Sequence, residues 1–153
     1  MRVPPSDSST DEDVASIDGI VRAIYECVSG PAGPRDWSRE HKLFLPGGRL
    51  MAARPGPAGG AIGEVFDVEG YIASRRPFFE NNDFYEVETA RRTFAFGGMA
   101  HVLSAYEGRR SPGEKAFVRG VNSIQLFHDG RRWWVLSMIW DNERPGAPLP
   151  ELA

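Results

Sequence analysis

The chain has little of what would announce a chemistry. Its 153 residues include one cysteine, Cys27, which excludes an internal disulfide and a zinc site built on thiolates. The three histidines, His41, His101 and His128, fall on separate predicted elements without metal-ligand spacing, so no metal or cofactor is expected. Gly59-Gly60 and Gly97-Gly98 lack the strand–loop–helix context of a phosphate-binding loop. Lysine and arginine number 18 against 21 acidic residues, a net charge of -3. That balance supplies no basic face. The arginine pairs at 75–76, 91–92, 109–110 and 131–132 lack aromatic interleaving, so nucleic acid is not an expected partner. No apolar run approaches the ~20 residues that span a bilayer, and MRVPPSDSSTDEDV has no signal-peptide core. A cytoplasmic protein with no membrane partner is the expectation.

What the chain does carry is hydrophobic patterning. Phe117 to Arg144 alternates through two strands about His128-Asp129-Gly130, where Asp-Gly supplies the positive φ of a hairpin turn. Three of the four tryptophans lie on its second strand, both faces of which are largely apolar. Both faces should therefore be covered, one by helices and one by a partner or tail.

Residues 1–8 are too polar to bury and are predicted to be disordered; 9–145 form a single domain, and 146–153 an irregular tail. Ser9 or Thr10 caps a first helix, with Val14, Ile17, Val21, Ile24 and Val28 on one stripe and Tyr25 at its edge. Arg35 to Phe44 reads as a second helix with Trp37, His41 and Phe44 on one side, and Arg49 to Arg54 as a short strand. The stretch RPGPAGGAIG, 54–63, is a lid or a variable connection. A third helix spans Phe66 to Phe79 with Asp67 as cap. Phe84 to Phe96 and Met99 to Glu107 form a hairpin whose phase slips near Ala90–Arg92, which predicts a β-bulge. The order α, α, β, α and then four long strands is α+β: three helices packed in the concavity of a strongly curved antiparallel sheet, with a pocket at the open end.

The segments AIYECV, DWSREHKLFLPGGRLM, GMAHVLSAYEGR and VRGVNSIQLFHDGRRWWVLSMIWDNERPG, in this order, resemble the nuclear transport factor 2-like superfamily, most closely its SnoaL-like branch, over about residues 13 to 145. The resemblance implies a cone-shaped α+β barrel, an internal pocket and a homodimer through the outer sheet face. It does not imply one reaction, because this fold hosts isomerases, cyclases, hydrolases, dehydratases and non-catalytic domains. Set against the ketosteroid isomerase relatives, Tyr25 falls at their oxyanion-hole tyrosine and Asn122 near their second donor. The segment Leu50 to Ala53, where their aspartate base would stand, has no carboxylate.

His101, mid-strand on the face of Met99, Leu103 and Ala105, is either a general base or a hydrogen-bonded core histidine. Tyr25 and Asn122 are candidate donors to developing negative charge, or respectively a core aromatic and a bulge residue. Trp37, Leu103, Met138 and Trp140 are candidate ligand contacts, with core packing as the other account. Glu86 and Glu88, on one face of a strand, are read as solvated. Three functions follow: a pocket protein for a small apolar organic molecule, a cofactor-independent isomerase, cyclase or hydratase with His101 as base, or a dimeric interaction module.

Overall fold

The computed structural model describes residues 1–4 and 11–152. The expectations for residues 5–8 and for a cap at Ser9 or Thr10 lie outside the described residues. Helix α1 (Glu12–Ala15) starts at Asp11, whose side chain accepts from the Asp13 amide, and stops at Ser16, which is extended. Ser16 then caps α2 (Ile17–Val28) by accepting from the Gly19 amide at 2.9 Å. The single helix expected from the apolar stripe is thus two, because a serine that caps competes with helix continuation.

Helix α3 (Trp37–Leu43) leads into β1 (Phe44–Pro55), which is longer than expected and skips register between Phe44 and Arg49. Pro46, Gly47 and Gly48 sit in that irregularity. The glycine-rich stretch after Arg54 is a hairpin tip: a single 3-10 turn (Pro57–Gly59) joins β1 to β2 (Ala61–Phe66). Helix α4 (Val68–Asn81) is capped by Asp67, as its sequence predicts. Strands β3 (Tyr85–Phe96), β4 (Met99–Arg109), β5 (Val118–His128) and β6 (Trp133–Asn142) complete the order.

The six strands form one sheet, β2-β1-β6-β5-β4-β3, antiparallel throughout except where β1 runs parallel to β6. The β5–β6 turn is closed by Asp129, whose Oδ1 accepts from the Arg131 and Arg132 amides, while Gly130 takes φ 99. The predicted bulge in β3 falls between Glu88 and Ala90. A second, unpredicted one lies at Leu136 in β6. It reverses the phase of that strand, so Val135 and Met138 are both buried although three positions apart.

One core joins α2 (Val21, Ile24, Tyr25), the inward side of β4 and β5 (Val102, Tyr106, Ile124) and α4 (Tyr71, Ile72). Among the described residues no helix is long and apolar enough to cross a membrane.

Candidate functional site

The helices do not fill the cone. A cavity of about 360 Å³ opens between α2, α3, α4 and the inner side of β3 to β6. Its wall is largely aromatic, from Tyr71, Phe78, Phe79, Phe84, Tyr106 and Trp140, with Met138 beside them. Polar groups break this wall: Glu40, Glu86, Asn122, Asn142 and Arg75.

Glu40 comes from the inward side of α3, between Trp37 and Leu43, and is 1% exposed. Burial pushes its carboxyl up to about 7, against a hydrogen bond with the Cys27 thiol that works the other way. Its Oε2 has no hydrogen-bond partner among the described residues. Glu86 stands on β3, half-buried, and is pushed up to about 8 by burial and then by the charge of Glu40. A carboxyl removed from water and facing a like charge prefers its neutral form. Both groups thus titrate around neutrality, where exposed carboxyls would already be ionised.

Behind the cavity wall runs a directed chain of hydrogen bonds. Asn122 Nδ2 donates to the Tyr25 hydroxyl at 3.1 Å, Tyr25 bonds Ser104 Oγ at 2.6 Å, and Ser104 donates to Glu88. Because Ser104 gives its proton to Glu88, it must accept from Tyr25. Arg91 closes the chain on Glu88, at 2.8 Å from Nη2. Tyr106 independently donates to Asn142 Oδ1 at 2.6 Å.

Of the residues picked from sequence, Asn122, Met138 and Trp140 line the cavity. Tyr25 is buried behind it, with its proton committed to Ser104 rather than free for a ligand. Trp37 packs on Phe79 with ring centroids 5.9 Å apart and is absent from the cavity wall. His101 and Leu103 lie on the other side of the sheet: they pair with Gln125 and Ser123, and His101 Nε2 is 3.1 Å from Ser123 Oγ. The smaller Ala100, Val102 and Ser104 face inward instead, where α2 and its Tyr25 come close. His101 is therefore not a base for anything bound in the cavity.

Glu40 was missed although Trp37, Glu40 and Leu43 share one helical side at spacing three. Glu86 and Glu88 had been read as solvated; one lines the cavity and the other is tied to Ser104 and Arg91. Among the described residues no three His, Cys, Asp or Glu side chains gather as a metal-ligand set.

The arrangement is an α+β cone with an internal, mostly aromatic cavity, and solved structures share its fold. No family model and no curated protein matches the sequence. A proposed dehydratase of the nuclear transport factor 2-like family from Streptomyces avermitilis is 15% identical with a TM-score of 0.62, over 89% of this chain and 99% of that one. A protein of unknown function with a cystatin-like fold from Nostoc punctiforme is 10% identical, TM-score 0.60, over 86% and 92%. The beta subunit of a proposed aromatic-ring-hydroxylating dioxygenase from Novosphingobium aromaticivorans is 15% identical, TM-score 0.61, over 85% and 89%. The chain has the nuclear transport factor 2-like, cystatin-like fold. At these identities the likeness is one of fold, and function has to be argued from the site.

Proposed function

We propose that the protein binds a small, mostly apolar organic molecule inside the cone, with Asn122, Glu40 and Glu86 meeting its polar group, and that it belongs to the SnoaL-like branch. The observation that carries this is the cavity of about 360 Å³ whose aromatic wall is interrupted by a few converging polar side chains. Enclosed apolar space with sparse, placed polar groups is how proteins hold small ligands. The test is ligand-observed NMR with a panel of small aromatic compounds, on the wild type and on Val118→Phe, which pushes a ring into the cavity. Binding should be lost in the variant while its far-UV circular dichroism is unchanged. Equal binding by both proteins would move the site elsewhere.

A second function, a cofactor-independent isomerase, cyclase or hydratase, is favoured by the raised pKa values of Glu86 and Glu40, about 8 and about 7. A neutral acid beside a partly ionised carboxyl can give and take a proton at neutral pH, which is general acid–base work. In this account the carboxyl pair replaces His101 as the proton-transferring group. Asn122 lends its amide to a carbonyl or hydroxyl of the substrate. Glu86→Gln would then reduce turnover by about 10²-fold or more with little change in affinity. A variant as active as wild type would leave only the binding function.

A further inference from the structure

Six of the twelve glutamates, Glu26, Glu64, Glu69, Glu88, Glu107 and Glu143, stand within ion-pair distance of an arginine or histidine. Glu12, Glu80, Glu114 and Glu151, which show no ion pair among the described residues, are exposed to water. Glu40 and Glu86 form no ion pair among the described residues, yet they share the cavity. Glu40 Oε2 is buried with no hydrogen-bond partner among the described residues. Burying a carboxyl without a counter-charge is costly, so two of them on one apolar wall need a physical account.

Arg75, which also lines the cavity, does not supply the counter-charge. Its guanidinium lies over Phe66, Tyr71 and Trp140, 5.8 to 6.0 Å from their centroids. The rings of this wall thus already receive one cation on their faces.

Resting on the pocket function proposed above, we infer that the cavity takes an organic ammonium: a protonated amine on a small aryl or alkyl body, its charge between Glu40 and Glu86 and its hydrocarbon against the aromatic wall. An anion would meet two carboxyls. A neutral alcohol would gain one hydrogen bond to Oε2 but no charge attraction. A metal ion would need more ligands than this pair offers, and no set of three gathers among the described residues. A bound ammonium holds both carboxyls ionised, so it expels the protons they carry in the free protein. The other titratable groups facing the pair do not change charge near neutrality: burial raises Cys27 on α2, Tyr71 on α4 and Tyr106 on β4. Affinity for an amine therefore rises with pH up to about 8, by at most about tenfold per pH unit for each carboxyl.

The experiment is calorimetric titration of the full chain with three probes of similar shape: phenethylamine, phenethyl alcohol and hydrocinnamate. Each is measured between about pH 6 and about pH 8, in two buffers of different ionisation enthalpy. The amine should bind about tenfold or more tighter than the alcohol at the upper pH, with proton release, and hydrocinnamate weakest. Glu86→Gln and Glu40→Gln should each bring the amine-to-alcohol ratio towards one. Alcohol or hydrocinnamate binding as tightly as the amine overturns the ammonium assignment and leaves the pocket function standing. An amine affinity that neither pH nor either glutamine variant alters also overturns it. No binding by any of the three overturns the pocket function as well.

Discussion

Glu40 shows how one side chain can set the pH response of the molecule. Its carboxyl has an ordinary value of 4.5 and sits near 7 in the fold. Between those values the folded chain binds a proton that the unfolded chain has released, so stability falls as pH rises through the window. The raised value costs on the order of 3 kcal/mol once the group is forced to ionise, at about 1.4 kcal/mol per unit. Glu86 extends the same decline to about 8. Asp13 acts with the opposite sign. Held down to about 2 chiefly by Arg39, it stabilises the fold above its ordinary 3.8, and that contribution is lost as pH falls through about 2. Urea denaturation in the absence of ligand should therefore give a higher unfolding free energy near about pH 5 than near about pH 8, and Glu40→Gln should flatten the slope. A stability that climbs across that interval would refute the assignment of a buried, protonated Glu40.

At the scale of elements, packing between neighbours decides what alternation cannot. Gly120 on β5 lies under Tyr106 and beside β6. A Cβ there would stand 2.5 Å from the Asp141 carbonyl oxygen and also strike the Tyr106 hydroxyl. Gly120→Ala should cost about 1–3 kcal/mol, read as a lower urea midpoint at unchanged slope. It should also disturb the Tyr106–Asn142 bond on the cavity wall. Adding Tyr106→Phe should recover only part of the loss, since it removes the hydroxyl but leaves the ring Cζ 2.6 Å away and the Asp141 carbonyl oxygen in place. Full recovery would place the strain on the side chain alone.

The same scale explains which elements were legible. The hairpin at Asp129-Gly130, the Asp67 cap and the β3 bulge are written in local residues and needed nothing distant. The parallel pairing of β1 with β6 is a long-range fact that no local pattern encodes. The face of His101 turned on size. Alternation put His101 on one face with Met99, Leu103 and Ala105 without saying which way that face points, and the close approach of α2 admits only the smaller Ala100, Val102 and Ser104 on the inner side. Glu40 was hidden because a helix of seven residues gives too few turns to define its buried side.

For the whole molecule, the open question is the outer side of the sheet. Phe94, Phe96 and Met99 are 53%, 78% and 60% exposed, and Leu136 and Ile139 about half. Register aligns Leu103, Ser123 and Ile139 in one row across β4, β5 and β6. Neighbouring strands are about 4.8 Å apart, so exposed apolar side chains gather on this face among the polar His101, Ser123, Gln125 and Ser137. Exposed apolar side chains rimmed by polar ones mark an interaction surface, and a second copy of this chain is the occupant we propose. The outer face should then bury roughly 800 Å² per chain, the size of an ordinary stable interface. Light scattering after gel filtration should give twice the 17.0 kDa of one chain. Leu103→Asp with Ile139→Asp puts two charges on the row and should yield a single-chain mass while leaving far-UV circular dichroism intact. Phenethylamine affinity measured on that variant separates the two sides of the sheet. If the cavity is complete within one chain, the affinity stays within about twofold of wild type. A wild type already running as a single chain would remove the homodimer and leave the outer face to a different protein.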